Sequence, residues 1–142
     1  MKMNTYLNYG GNCEQALRFY EKHLGGKILM MSTFADLPNS PDAPNAKGME
    51  AKILHARIEI GGAVLMASDT PADRFQPMRS AYLSLSCESS EEAERIYGLL
   101  KDGGEIFMPM AETFFASRFA MLRDKFGTSW MIIHERPMPR AS

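Results

Sequence analysis

Residues 13–28, CEQALRFYEKHLGGKI, and residues 90–106, SEEAERIYGLLKDGGEI, repeat one pattern of apolar, charged and glycine positions. The identical positions of the two copies are Glu14, Ala16, Arg18, Tyr20, Gly25-Gly26 and Ile28, aligned with Glu91, Ala93, Arg95, Tyr97, Gly103-Gly104 and Ile106. Two copies are too few for a solenoid, which needs about three or more units. The repeat therefore predicts one domain that consists of two similar halves.

Each copy is typical of an amphipathic helix that leads into a strand. Its apolar residues recur at helical spacing, and charged residues occupy most of the other positions. Ser89 or Ser90, followed by two glutamates, is a candidate N-cap of the second helix. The glycine pairs favour a left-handed helix end, because glycine has no Cβ to clash there. We interpret the tyrosines and leucines of both copies as core residues.

Composition limits the classes of partner. The 142 residues carry 16 basic and 17 acidic side chains, a net charge of -1, with no basic patch, so we expect no nucleic-acid partner. No apolar run reaches the roughly 18 residues of a membrane span, and the N-terminus lacks the apolar core of a signal peptide. We therefore expect a cytoplasmic protein that does not enter the membrane. Cys13 and Cys87 cannot form a disulfide framework.

Alternating residues predict eight strands, and Gly61-Gly62 is typical of a hairpin turn. Each half then has the order β-α-β-β-β, which favours an α+β fold with mostly antiparallel sheets. We expect both sheets to curl around a cavity, with the helices on the outer faces. Residues 35–50 have no periodicity and form either a lid or a solvated loop. The predicted strands span residues 3–9, 27–34, 51–60, 63–69, 82–87, 105–110, 119–123 and 129–134, in a single domain (1–142) with module one at about 1–70, module two at about 78–136 and a tail at 137–142.

Six segments, taken in order along almost the whole chain, resemble the vicinal oxygen chelate superfamily, which includes glyoxalase I, bleomycin-resistance proteins and extradiol dioxygenases. The resemblance is closer to the PhnB-like branch. It implies paired βαβββ modules, a homodimer and a ligand cavity. A glycine-rich nucleotide-binding fingerprint, which would support a methyltransferase, is missing from the sequence. The six segments are Ala16 to Tyr20, HLGGKI from His23, LHARIEIGG from Leu54, LMASD from Leu65, ETFFASRF from Glu112 and DKFGTSWMI from Asp124.

Metal-dependent members of the superfamily use four His or Glu ligands on matching strands of the two modules. The resemblance places these positions at Asn4 or Thr5, His55, Ala81 or Tyr82, and Met131. His55 is the one residue of this set that ligates divalent metals, and a single imidazole does not hold one. We therefore expect no metal and no other cofactor.

The candidate substrate-binding residues lie on strands and loops that the resemblance places around the cavity. His55, Arg57 and Glu59 share one strand face, which is either a cavity wall or a solvated surface. Asp69 ends a strand, where it either contacts ligand or accepts a backbone hydrogen bond in a turn. The full set is His55, Arg57, Asp69, Glu112, Thr113, Phe115 and Trp130, with His55 and Glu112 as candidate catalytic groups.

Two functions remain open at this level. One is a protein that binds a small oxygenated organic compound, as the bleomycin-resistance relatives do. The other is an enzyme that acts on such a compound without a metal. A metal-dependent glyoxalase or dioxygenase is the alternative to both. The 12 methionines favour an adaptable apolar cavity, since methionine fills irregular space.

Overall fold

The structure is a computed structural model in which residues 1–36 and 48–137 are described. The chain divides into two compact units, Met1–Pro77 and Met78–Ser142. Each contains one βαβββ module, so the predicted α+β class is confirmed. The elements of module one are β1 (Thr5–Tyr9), α1 (Cys13–His23), β2 (Lys27–Thr33), β3 (Ile53–Ile60) and β4 (Ala63–Asp69); those of module two are β5 (Leu83–Ser86), α2 (Ser90–Leu100), β6 (Glu105–Ala111), β7 (Ala116–Arg123) and β8 (Ser129–Glu135).

The two sheets have the same strand order, β1-β4-β3-β2 and β5-β8-β7-β6. Two pairs of neighbouring strands in each sheet are antiparallel, but β1 is parallel to β4 and β5 is parallel to β8. The sheets are thus mixed. In each module the helix carries the chain from the first strand, at one edge of the sheet, to the second strand, at the opposite edge. The third and fourth strands then fill the space between them, so the last strand pairs with the first.

Each helix packs on one face of its own sheet. In module one, Ala16, Leu17 and Tyr20 of α1 are fully buried, and α1 contacts β3, β2 and β4. In module two, α2 packs on β7 and β8 through Ala93 and Leu100. A fully buried leucine or tyrosine side chain contributes about 1.5–3 kcal/mol to stability. The repeated apolar pattern therefore supplies both cores.

The two glycines of each pair have different roles. Gly25 and Gly103, the first of each pair, have φ angles of 67° and 72°, the left-handed conformation predicted for a helix end. The second glycine lies close to neighbouring atoms. A Cβ on Gly26 would lie 3.0 Å from Ile58 Cδ1, and one on Gly104 would lie 2.4 Å from the backbone oxygen of Arg123.

The structure differs from the sequence-based prediction at the start of β7 and in the burial of Tyr97, which was predicted as a core residue. β7 begins at Ala116 rather than at residue 119. The alternation of apolar residues did not predict this earlier start because Arg118, on the helix-covered face, is charged. Its guanidinium donates to Glu94 of α2. Tyr97 is only half-buried, with the Lys101 ammonium 5.2 Å from its ring centroid, whereas the matching Tyr20 is fully buried. Most of the stretch predicted as a lid or a solvated loop (35–50), and most of the predicted tail (137–142), fall on residues 37–47 and 138–142, which lie outside the described residues.

Ser89 is the N-cap of α2, since its hydroxyl accepts a hydrogen bond from the Glu92 N–H at 3.0 Å. Cys13 and Cys87 are both free and buried, as expected for small core residues. Burial raises the pKa of the Cys87 thiol to about 11 and raises that of Cys13 further, so neither thiol has the low pKa that a helix start can produce. Across residues 1–36 and 48–137, every helix is too short or too polar to cross a membrane.

Candidate functional site

One face of the module-one sheet carries polar side chains, and no helix among residues 1–36 and 48–77 packs on it. Along β3, Ala56, Ile58 and Ile60 are buried on the side of α1, so His55, Arg57 and Glu59 point to the opposite side. The neighbouring strands follow the same alternation. We call this surface the far face of module one; the residues used below are Tyr6, Asn8, His55, Arg57, Met66 and Ser68.

Tyr6 and His55 form a pair on the far face. The Tyr6 hydroxyl lies 3.2 Å from His55 Nδ1, and the two rings stack with centroids 5.7 Å apart and planes at 27°. The contact reaches across β4, which lies between β1 and β3 in the sheet. Which group donates depends on the imidazole tautomer. The pair fixes an imidazole and a phenol side by side, with Tyr6 46 % exposed.

Arg57 lies beside this pair. Its Nη2 contacts Met66 Sδ at 3.5 Å, and a thioether is a weak acceptor. Within residues 1–36 and 48–137, no carboxylate forms an ion pair with this guanidinium. Ser68 donates to Asn8 Oδ1 at 3.1 Å on the same face. The far face thus offers a cation, an imidazole and several hydroxyl or amide groups to a ligand.

Asp69 holds backbone together rather than facing solvent. It is 4 % exposed, and its Oδ1 accepts from the N–H groups of Gly11 at 3.0 Å and Cys13 at 2.9 Å. Its Oδ2 accepts from the N–H of Ile53 at 2.9 Å. The carboxylate therefore joins the end of β4 to the start of α1 and the start of β3. These bonds reach distant segments of the chain and not the turn that the sequence offered as one alternative.

Trp130 belongs to the core of module two. It is 1 % exposed, and its indole N–H donates to Asp124 Oδ2 at 2.8 Å. Asp124 Oδ1 also accepts from the backbone N–H groups of Phe126 at 2.9 Å and Thr128 at 3.0 Å. Sequence reasoning missed Asp124, although its position before a Lys-Phe-Gly turn was a signal for a carboxylate that closes the turn.

The loop before β7 contains the other predicted site residues. The Thr113 N–H donates to the Ala116 carbonyl oxygen at 2.9 Å, and the Ala116 N–H donates to Thr113 Oγ1 at 3.0 Å. Phe115 makes edge-on contacts with Phe114 and Phe119 at centroid distances of 5.2 and 5.1 Å. Glu112 pairs with Arg136 and lines a cavity of module two. Whether these residues share a pocket with His55 stays a prediction.

The donor set does not fit the metal site of the metal-dependent relatives. Of the positions that the resemblance assigns to ligands, His55 alone carries a side chain of the required type, and its Nδ1 already contacts the Tyr6 hydroxyl. Among residues 1–36 and 48–137, no three His, Cys, Asp or Glu side chains are grouped to hold a metal ion.

Comparison with known proteins identifies the family. The family described as 3-demethylubiquinone-9 3-methyltransferase matches residues 1–133. Protein YjdN of Escherichia coli is 34% identical over 138 residues, which cover 93% of this chain and 94% of YjdN. Protein PA1353 of Pseudomonas aeruginosa has a TM-score of 0.83 and 36% identity, with 96% of this chain and 99% of that chain covered.

Two further solved structures share this fold at lower sequence identity. A Bacillus cereus PhnB protein, titled a putative 3-demethylubiquinone-9 3-methyltransferase, has a TM-score of 0.80 and 27% identity over 94% of this chain and 99% of its own. The fosfomycin resistance protein FosX of Listeria monocytogenes has a TM-score of 0.63 at 13% identity over 96% and 94%, which shows a shared fold alone. The chain therefore belongs to the PhnB-like family described as 3-demethylubiquinone-9 3-methyltransferase, within the vicinal oxygen chelate superfamily.

Proposed function

We propose that the protein binds a small oxygenated organic compound on the far face of module one, without the help of a metal. The observation that carries this proposal is the Tyr6–His55 pair, with Arg57 beside it. A stacked phenol and imidazole provide an apolar surface together with a donor and an acceptor, which is the combination that small-molecule sites use. A guanidinium without a carboxylate partner adds affinity for the negatively charged or polar oxygen of a ligand.

The same pair can support metal-independent chemistry on the bound compound. An imidazole can take or give a proton if the reacting atom lies about 2.6–3.2 Å from its nitrogen. Tyr6 orients the imidazole through Nδ1, which leaves Nε2 for the ligand. We therefore propose His55 as the group that would act as acid or base, with Tyr6 as its positioning residue.

A thermal-shift screen of small hydroxy acids, diols and ketones tests the proposal, because a ligand that binds only the native state raises the unfolding temperature. Any compound that stabilises the protein is then measured against His55→Ala and Arg57→Gln. We expect both variants to lose the shift, and the matched control His23→Ala, which lies on α1, to keep it. A shift that is unchanged in His55→Ala would place the ligand elsewhere.

Elemental analysis of protein purified without chelator tests the absence of metal. We expect no stoichiometric transition metal. About one zinc, nickel or manganese ion per chain, lost in His55→Ala, would instead support the metal-dependent alternative.

We further propose a cytoplasmic homodimer whose ligand site also uses Glu112, Thr113 and Phe115. The two free thiols support a reducing compartment, since disulfides are rare in the cytosol. An effect of Glu112→Ala on the affinity of a far-face ligand supports the shared site. An unchanged affinity would restrict the site to module one.

A further inference from the structure

A cavity of about 560 Å³ lies in module two, and of the residues proposed above for the ligand site it shares Glu112 alone. It is formed at the start of α2 and by the adjoining ends of β7 and β8. Two arginines, one carboxylate and two serines give it a polar lining. We call it the arginine cavity, and its lining residues are Ser90, Glu112, Ser117, Arg118, Arg136 and Pro137.

Arg136 is held in the cavity with part of its hydrogen-bonding capacity unused. Its Nη2 pairs with Glu112, a side chain that is 63% exposed. Its Nε is buried and has no acceptor among residues 1–36 and 48–137. A guanidinium offers its Nε and Nη hydrogens as a fork that fits a carboxylate or phosphate in two-point contact. Glu112 therefore satisfies Arg136 incompletely.

Arg118 is fixed by contacts that leave part of the guanidinium available to the cavity. Its Nε donates to Glu94 at 3.0 Å, and its Nη1 donates to the Ser117 carbonyl at 2.7 Å. Glu94 is not part of the cavity lining. The lining therefore contains two guanidinium groups and one carboxylate, and the carboxylate that pairs with Arg118 lies outside it.

Ser90 supplies a hydroxyl to the lining of the cavity. Its Oγ lies 3.2 Å from His134 Nδ1, which fixes the hydroxyl at the first turn of α2. A serine hydroxyl has one hydrogen to donate, so Ser90 can donate it to an anion when His134 Nδ1 is the donor in the bond between them. The positive end of the α2 dipole lies at the same turn and adds to the attraction.

From these contacts we propose that the arginine cavity binds a small oxyanion, a phosphate or carboxylate group of a metabolite, which replaces Glu112 on Arg136. Glu112 is the internal anion of the unliganded protein. Its exposure lets it swing into solvent when a ligand arrives. The incoming oxyanion would take both the Nε and Nη2 of Arg136, and would also be within the reach of Arg118 and Ser90.

Isothermal titration of the full chain with inorganic phosphate, and separately with acetate, at constant ionic strength tests the proposal. We expect Arg136→Gln to weaken binding by about tenfold or more, since a charge-assisted two-point contact is lost. Glu112→Gln should tighten binding by about threefold or more, because the competing carboxylate becomes neutral. Whichever of the two anions binds more tightly identifies the group that the cavity prefers.

Arg123→Gln is the matched control, because Arg123 lies on β7 but does not line the cavity. Its anion affinity should equal that of the unaltered protein. If Arg136→Gln does not fold, as judged by circular dichroism, Arg136→Lys retains the charge and should still weaken binding. Equal anion affinity in the unaltered protein and a folded Arg136 variant, or weaker binding in Glu112→Gln, would overturn the proposal. So would no heat of binding with either anion at millimolar concentration. None of these outcomes depends on whether His55 binds a ligand.

Discussion

At the scale of single residues, two buried carboxylates accept hydrogen bonds from backbone N–H groups and hold those parts of the backbone in place. Asp69 and Asp124 are 4 % and 5 % exposed, and each accepts at least two backbone N–H groups. From sequence alone, Asp69 could be recognised as a strand end but not as a scaffold residue. The reason is that its partners Gly11 and Ile53 are distant in sequence, so no local sequence pattern predicts these hydrogen bonds.

Replacing Asp69 with alanine should lower the free energy of unfolding by about 3 kcal/mol or more, because three backbone donors lose a charged acceptor. Asp69→Asn should cost less, since its remaining oxygen can still accept from Gly11 and Cys13. Urea unfolding followed by circular dichroism measures both. The exposed Asp102→Ala is the control and should stay within about 0.5 kcal/mol. A cost for Asp69→Ala as small as that of the control would contradict the scaffold role.

The buried thiols should make the protein less stable at alkaline pH. Burial raises the pKa of the Cys87 thiol from its ordinary value of 9.0 to about 11, with Glu92 as a second cause. Above about pH 9 the unfolded chain loses this proton while the native protein keeps it, so the stability should fall as the pH rises. Urea unfolding at several pH values from about 8 to 10.5 should show a smaller decline in Cys87→Ala than in the unaltered protein. Equal declines would contradict the prediction.

At the scale of elements, each helix-to-strand connection depends on two glycines with different functions. The glycine pairs in the sequence predicted a left-handed helix end, and the structure places that conformation at the first glycine of each pair. The repeat could not predict the crowding at the second glycine. That crowding arises at Gly26 from the Ile58 side chain of β3 and at Gly104 from the Arg123 backbone of β7, and the chain reaches both strands only after a further strand.

Gly104→Ala should therefore destabilise the protein by about 1–3 kcal/mol, since its Cβ would lie 2.4 Å from the Arg123 carbonyl oxygen and force the backbone to shift. Gly98→Ala is the matched control. Gly98 lies within α2, and nothing lies within 4 Å of a Cβ built there. It should stabilise the protein by about 0.5–1 kcal/mol, because alanine favours helix. Denaturant midpoints of the two variants should move in opposite directions, and a shift in the same direction would contradict the argument.

At the scale of the whole molecule, most of the fold could be predicted from the sequence and much of the candidate site could not. The repeat and the alternation of residues determine which elements form, and these are local properties. The Tyr6–His55 contact depends on β1 pairing in parallel with β4, which brings distant strands into register. Arg136 and Ser90 lie in different segments again, so no spacing along the chain predicts the arginine cavity.

The edge strands β2 and β6 support the prediction of a homodimer. Both expose apolar residues, among them Leu29 at 45 %, Ile106 at 43 % and Met108 at 44 %. Exposed apolar edges favour pairing with another chain. We expect a dimer that buries roughly 2,000 Å² or more in total. Sedimentation velocity at micromolar concentration should show it, and Leu29→Glu or Ile106→Glu should shift the population towards monomer. A monomer alone at that concentration would contradict the prediction.

The parallel pairing of the first and last strands has a consequence during synthesis. β1 leaves the ribosome early but has no strand partner until β4 follows, since Thr5 pairs with Leu65. A chain dominated by such distant pairings folds slowly, because a large loop must close before the contacts stabilise it. Module two repeats the situation, with Leu83 paired to Trp130. Each half can therefore complete its sheet only when its own last strand has emerged, and the N-terminal half can do so while the other half is still being made.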